Sequence, residues 1–245
     1  MKEEVKIQWQ EEVDSTNSEA LRHISELDNL TVLAAVHQTA GRGQRGNSWL
    51  AGKGENLTFS LVVKFDGGAF PPLKASRQFE LTRRVTLGVA DYLDSKGIGC
   101  AIKWPNDIYV RNKKICGMLI ENILSGTFLA ASVIGIGLNV NQKTFPPQLV
   151  NPVSMAMVSG DEYDLKAELP LLCRFIVDRL AREESGDEYV SRLYRIDSFC
   201  EYVICSTGRP IRAKIVGVSE SGRLRLVTEK GEPLEFAFKE ISFVI

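Results

Sequence analysis

The segment Gly41-Arg42-Gly43-Gln44-Arg45-Gly46-Asn47-Ser48-Trp49 lies between two apolar runs rich in β-branched residues, Thr31 to Gln38 and Asn56 to Phe65. Both runs read as strands, so the context is strand, glycine-rich loop, strand. That order argues against the dinucleotide fold whose signature the glycines imitate. Gly41, Gly43 and Gly46 fit G-x-G-x-x-G, with Asp66 following at roughly the twenty-residue spacing of a ribose-binding acid. The dinucleotide fold, however, needs a helix to begin inside the motif, and here Gly52 and Gly54 precede a strand. A phosphate-binding Walker loop needs lysine where Asn47 stands. What is left is a backbone able to approach a ligand closely, with N–H groups for an anion nest and guanidinium forks at Arg42 and Arg45. Taken alone, the loop has a plain alternative, a solvated turn holding two arginines.

The 245 residues are 44% hydrophobic and 25% charged, an ordinary globular balance that excludes a disordered chain, a collagen-like repeat or a coiled-coil rod. Thirty basic against thirty-one acidic side chains give a net charge of -1. Phosphate-backbone binding normally leaves a basic excess, so no nucleic-acid partner is expected. The N-terminus has no apolar signal core and no stretch is long enough to span a bilayer, so the expected location is the cytoplasm, without a membrane partner. Cys100, Cys116, Cys173, Cys200 and Cys205 are odd in number and lack C-x-x-C spacing, so they read as reduced, mostly buried small hydrophobes. Two histidines, His23 and His37, leave little for a histidine metal centre or a nucleophilic triad.

Residues 4–13 read as a first strand. Asp14-Ser15-Thr16-Asn17 then offers capping oxygens, with Thr16 and Glu19 spaced as a capping box, and a helix is expected to about Asp28 with Ala20, Leu21, Ile24 and Leu27 as its apolar stripe. Residues 73–96 predict a long helix stopped at Gly97. Strands follow at 100–103, 107–111, 114–123 and 127–140, with hairpin turns at Asn112-Lys113 and Ser125-Gly126. Helices are expected at 165–184 and 187–196. Beyond about Ser198, short strands broken by Thr207-Gly208, Ser221-Gly222 and Lys230-Gly231 predict a small barrel-like module. The expected fold is α+β, a mixed, mainly antiparallel central sheet with flanking helices in residues 1–196, followed by a β module in residues 197–245.

Three further segments carry chemistry. Lys103-Trp104-Pro105-Asn106-Asp107 closes one strand and opens the next, placing an ammonium, an amide and a carboxylate in one proline-fixed turn. Lys113-Lys114-Ile115-Cys116-Gly117 opens a strand in which Gly117 permits close backbone approach. Gly135-Ile136-Gly137-Leu138-Asn139-Val140-Asn141 ends an apolar strand with glycines and amides. Each has a plain alternative: core packing for Trp104, solvated lysines, and a bulge.

In their order and spacing, DSTN at 14–17, HQTAGRGQRGNSW at 37–49, KWPNDIYV at 103–110, KKICGMLIEN at 113–122 and GIGLNVN at 135–141 resemble the biotin protein ligases. The resemblance extends to the C-terminal KEISFVI, which looks like the family's small SH3-like barrel, and implies a class II aminoacyl-tRNA synthetase-like catalytic fold. It implies a two-step reaction in which biotin and ATP give biotinyl-5'-adenylate and pyrophosphate, and a lysine of a biotin carboxyl carrier domain then displaces AMP. ATP with Mg²⁺ and biotin are the implied small molecules, with no tightly bound prosthetic group, and the metal ligands are unassigned. By this resemblance Lys114 and Arg42 are catalytic. Ser15, Thr16, Asn17, Gln38, Gly41, Arg42, Gly43, Gln44, Lys114 and Gly117 belong to biotin, and Arg42, Arg45, Trp49, Lys103, Asn106, Asp107, Lys114 and Asn139 to ATP. Asp107 is one candidate base for the acceptor lysine, and equally a turn cap.

Gln44 departs from the arginine that some relatives carry, and Asn47 and Ser48 replace basic residues, which lowers the loop's charge. Only about fourteen residues precede DSTN, too few for the winged helix-turn-helix of bifunctional relatives, so a ligase without repressor activity is expected. Family members are monomers or homodimers, and nothing in the chain selects between them. A lipoate or octanoate ligase or transferase of the same fold group is the nearest alternative. Its pocket is an apolar tunnel, whereas DSTN and HQTAGRG are polar. A nicotinamide oxidoreductase and a non-catalytic binding module are the remaining alternatives.

Overall fold

The computed structural model describes residues 4–65, 70–182 and 186–245. Its larger part is a seven-stranded sheet in the order β1-β2-β3-β7-β6-β5-β4. These strands are β1 (Lys6–Val13), β2 (Thr31–Gln38), β3 (Leu57–Lys64), β4 (Ala101–Lys103), β5 (Asp107–Val110), β6 (Lys113–Ser125) and β7 (Phe128–Leu138). β1 and β2 run parallel because helix α1 (Thr16–Arg22) crosses between them; every other neighbouring pair is antiparallel.

The two faces of this sheet are covered unequally. On one, Val32, Ala34, Phe59, Leu61, Ile134, Ile136 and Met118 join Leu81, Val85, Val89 and Leu93 of α2 (Phe79–Ser95) and Leu169, Leu172 and Ile176 of α4 (Leu165–Leu180) in a large buried core. α2 and α4 approach closely at Gly88, where a Cβ would stand 2.7 Å from the Ile176 Cα. Polar links tie the pair as well: Tyr92 Oη donates to Glu168 at 2.8 Å, Lys96 donates to the same carboxylate, and Arg179 grips Asp91.

On the other face only a small cluster, Ala20, Leu33, Val62 and Val133 with Leu21, Ile24 and Leu27, packs α1 onto the strands. Beside it the cross-strand rows read Leu33, Ser60, Gly135, Leu119 and then Ala35, Thr58, Gly137, Gly117, Asp107. Side chains of a strand alternate between faces, so these rows leave a floor of glycines and small residues with no helix over it.

Short helices α3 (Met155–Ser159) and α5 (Asp187–Ser191) complete this part. A five-stranded antiparallel sheet follows, ordered β11-β10-β9-β8-β12, from β8 (Phe199–Ile204), β9 (Arg209–Val218), β10 (Leu224–Thr228) and β11 (Pro233–Phe236) to β12 (Ile241–Phe243). It meets the larger sheet where Trp104 Nε1 donates to the Gly222 carbonyl at 2.9 Å and the Phe238 ring stands edge-on to Trp104 at 6.0 Å. The five cysteines are free. Among the described residues no helix is long and apolar enough to cross a membrane.

Several expected boundaries move. α1 ends at Arg22, and residues 23–27 turn back on His23 while still delivering Ile24 and Leu27 to the small cluster. Its N-cap is Ser15; Thr16, the expected cap, is buried and bonded elsewhere. The long helix starts at Phe79, because Leu73 and Ala75 hydrogen-bond to the β6–β7 hairpin and only a 3₁₀ turn, Ala75–Arg77, fits between. It stops as expected, with Gly97 at φ +71°. The helix expected at 187–196 ends at Ser191, since Arg192 and Tyr194 exchange backbone hydrogen bonds with Ile102. The hairpin turns fall at Arg111-Asn112 and Gly126-Thr127, one residue from the expected pairs.

Helix propensity alone assigns Gly88→Ala a gain of about 1 kcal/mol. The contact with Ile176 reverses the sign: urea denaturation of Gly88→Ala is expected to show a loss of about 1–3 kcal/mol, as for an overpacked core.

Candidate active site

The glycine floor decides what can lie on it. A Cβ at Gly137 would sit 2.1 Å from the Trp49 indole, and one at Gly117 would sit 3.0 Å from the same ring and 2.9 Å from Lys114 Nζ. Trp49, at the end of the glycine-rich loop, therefore lies flat on bare backbone. Its Nε1 is buried without a hydrogen-bond partner.

Lys114 reaches this face through a bulge. Ile108 pairs with Cys116 and Tyr109 with Lys114, so Ile115 is an extra residue on β6. Strict alternation would put Lys114 and Gly117 on opposite faces; the extra residue returns Lys114 to the side of Gly117, re-aiming a side chain as bulges near sites do. Its ammonium is 2.7 Å from Asp107 Oδ1 and 5.6 Å from the centre of a Trp49 ring.

At the other end, the start of α1 inserts uncharged groups. Gln38 Oε1 accepts from the Thr16 N–H at 2.8 Å and from Thr16 Oγ1 at 3.2 Å. Ser60 Oγ lies 2.8 Å from Thr16 Oγ1 and 2.6 Å from Asn17 Oδ1, with one proton to share. Asn17 Nδ2 donates to the Leu119 carbonyl at 3.1 Å and to Glu121 at 2.9 Å. A Cβ at Gly135 would stand 2.2 Å from Asn17 Oδ1, so Asn17 occupies the space that glycine leaves. Ser15 caps the helix. With the Gln38 oxygen engaged by Thr16, its NH₂ donors have no protein partner among the described residues.

The loop closes on itself through the Gly43 N–H to the Asn47 carbonyl at 2.7 Å and the Trp49 N–H to the Gly41 carbonyl at 2.9 Å. Arg42 spans the pocket mouth, donating to Glu121 through Nη1 at 3.0 Å and Nη2 at 2.7 Å. Opposite, Lys103 lies between the Tyr109 and Phe243 rings at 5.4 and 4.9 Å. Burial holds its ammonium pKa below the usual lysine range; Asp107 opposes that shift and Lys114 adds to it. Asn106 donates to the Met118 carbonyl.

One pocket thus brings together Ser15, Thr16, Asn17, Gln38, Arg42, Gly43, Gln44, Trp49, Lys103, Asn106, Asp107, Lys114 and Gly117 of the expected residues. Two others are placed apart. Gly41 lines the neighbouring groove, where a Cβ would stand 2.4 Å from the Trp49 carbonyl oxygen. Asn139 is buried away from the pocket: its amide donates to the Val153 carbonyl at 3.1 Å and its N–H to the Ile115 carbonyl at 2.9 Å, so it joins the strand end to the loop before α3. The Arg45 side chain lies outside the described residues, as does Asp66. Sequence reasoning missed Ser60, Glu121 and Phe238. Ser60 had one signal, a hydroxyl between Phe59 and Leu61 in a mostly apolar strand, and Glu121 another, a carboxylate directly after the apolar run Met118 to Ile120 of β6.

The pocket is therefore uncharged and polar around Thr16, Asn17 and Gln38, lined by the Trp49 ring over the glycine floor, and cationic at Lys114 and Lys103, with Arg42 held on Glu121 beside α1. Such a gradient suits an elongated ligand with a neutral polar head and an anionic tail. Among the described residues no group of three His, Cys, Asp or Glu side chains is placed to hold a metal ion.

The biotin/lipoate A/B protein ligase family model matches residues 9–139, more than half of the chain. Similar curated proteins include the bifunctional ligase/repressor BirA of Salmonella typhimurium, 30% identical over 213 residues that cover 85% of this chain and 62% of that protein. Another is the biotin--[acetyl-CoA-carboxylase] ligase of Paracoccus denitrificans, 34% identical, covering 65% of this chain and 66% of that protein. The chain spans less than two thirds of the length of these relatives. The biotin protein ligase of Aquifex aeolicus in complex with biotin and ATP superposes with a TM-score of 0.78 at 28% identity, covering 98% of each chain. The match of sequence and the match of fold lead to one assignment: the chain belongs to the biotin/lipoate A/B protein ligase family.

Proposed function

We propose that the chain is an ATP-dependent biotin protein ligase of the cytoplasm, which activates biotin as biotinyl-5'-adenylate and transfers it to a lysine of a biotin carboxyl carrier domain. The observation that carries this reading is the pocket's polarity gradient, which ends in uncharged donors and acceptors at Thr16, Asn17 and Gln38. A ureido ring has both N–H donors and a carbonyl acceptor, and the free Gln38 NH₂ and the hydroxyls meet them without a charge. A lipoyl or octanoyl chain would leave those groups unpaired and desolvated, which costs binding. The thiophene ring and alkyl chain would lie against the Trp49 ring that rests on Gly117 and Gly137.

The carboxylate then falls near Lys114 and Arg42. For activation, a carboxylate oxygen attacks the α-phosphorus of ATP and pyrophosphate leaves; in transfer, the acceptor amine attacks the adenylate carbonyl, loses a proton and expels AMP. Both anions of the first step must be held together, and preorganised cations in a partly dry site stabilise the charge that builds between them. Lys114, kept in place by Asp107 and Trp49, supplies a point charge, and Arg42 a planar fork. The nucleotide would extend toward Lys103, Trp104, Asn106 and Asp107, closed by Phe238 and Gly222, so that catalysis belongs to residues 1–196 while residues 197–245 wall one end. The lining acid Asp107 fits Mg²⁺ carried on ATP, an ion that usually takes one or two protein carboxylates beside substrate phosphates. Bound there, the ion would supply charge neutralisation to the phosphates.

Pyrophosphate release from Mg²⁺-ATP is expected with biotin and not with octanoate or lipoate, and Lys114→Ala is expected to lower it on the order of 10²- to 10³-fold, as for loss of one preorganised charge-stabilising donor. Release with octanoate in place of biotin would move the chain to the lipoate branch. Gln44 lines the pocket from the loop without a charge; Gln44→Arg is expected to slow adenylate dissociation in stopped-flow chase experiments, and equal off-rates would remove a retaining role for that position.

A further inference from the structure

Glu121 stands in the row beyond the glycines, opposite Val133, at the edge of the small apolar cluster under α1. A carboxylate there needs partners, and it has them. Glu121 accepts from Arg42 Nη1 at 3.0 Å and Nη2 at 2.7 Å and from Asn17 Nδ2 at 2.9 Å. Arg42 Nη1 also reaches Ser18 Oγ at 3.4 Å. A guanidinium carries five N–H groups in a rigid plane. The Nη1–Nη2 end of Arg42 is taken by Glu121, while its Nε and the outer hydrogen of Nη2 have no protein partner among the described residues. Those two donors form a second fork at a fixed angle to the first.

We infer that Glu121 is a positioning residue for the reaction: it clamps one edge of the Arg42 guanidinium so that the free Nε–Nη2 edge is presented to the anion formed between carboxylate and phosphate. The inference rests on the ligase reading and deepens it. Without Glu121, Arg42 is a long exposed side chain on a loop whose backbone bonds run mostly within the loop. It would then sample many rotamers and lose part of its worth as a preorganised donor. Through Asn17 the same carboxylate touches the neutral end of the pocket, so one side chain fixes the spacing between the head group and the charge-stabilising fork.

Glu121→Gln keeps size and polarity but turns one acceptor into a donor facing a donor, so the two-point clamp on Arg42 is lost. Asn17 keeps the Leu119 carbonyl and Ser60, so biotin affinity measured calorimetrically without ATP is expected to stay near that of the wild type. The kcat of biotin-dependent pyrophosphate release is expected to fall roughly ten- to hundredfold, the cost of misplacing a catalytic group by about an ångström. The decisive readout is a double-mutant cycle. In an Arg42→Ala background, a loss that acts through Arg42 disappears, whereas a loss that acts through Asn17 or through the fold persists at full size. If Glu121→Gln does not fold, Glu121→Asp, which draws the charge back by one methylene, takes its place in the cycle. An unchanged kcat in the single variant, or the same fold-loss in both backgrounds, would overturn the inference. A wild-type chain silent with biotin would instead overturn the ligase reading, and this one with it.

Discussion

The missing side chains at Gly117, Gly135 and Gly137 are the constraint on which the rest of the site depends. A half-covered sheet normally has to bury its second face or make it polar. Here part of that face is covered by α1, and next to it the chain leaves backbone bare. Asn17 and Trp49 then fill depth that a methyl group would deny them, one arriving from the start of α1 and one from the glycine-rich loop. Their arrival settles the ends of the pocket. The bulge at Ile115 settles its middle, since without it Lys114 would point into the core against α2 and α4. Covering one face with two long helices and the other with a single short one is therefore what converts a sheet into a site.

Charge is handled within the same frame. The cations that the proposed reaction uses are already paired, Arg42 with Glu121 and Lys114 with Asp107. Partly exposed pairs of this kind contribute little to stability. Their value is geometric: each counter-carboxylate sits on the sheet and fixes a long cationic side chain before a ligand is present. Lys103, its ammonium disfavoured by burial and lying between two rings, would be favoured in its charged form by an incoming anion.

The architecture was largely legible in the sequence because its signals are local. Alternation, β-branched runs and glycine stops placed the strands of the larger sheet within a residue or two, and the strand-loop-strand context of 41–49 argued against the dinucleotide fold. The site was legible where a motif was compact, as at 14–17 and 103–107. It was less legible where the third dimension decides. Asn139 has the composition of a pocket amide, but its strand end is tied to the loop before α3. Thr16 has the spacing of a cap, yet its hydroxyl is bonded to Gln38 and to the buried Ser60. Ser60 and Glu121 are far in sequence from the groups they hold, and no periodicity announces a cross-strand row.

The central claim is that the bare backbone at these glycines seats Asn17 and Trp49, which line the proposed biotin pocket. Calorimetric biotin binding to Gly135→Ala tests it most directly, with thermal melting to establish that the variant is folded. A methyl group in a strand is otherwise neutral or mildly favourable to stability, whereas here it must displace Asn17. The account predicts a folded protein with biotin affinity lowered roughly hundredfold, about 2.7 kcal/mol. Wild-type affinity in a folded Gly135→Ala would contradict it.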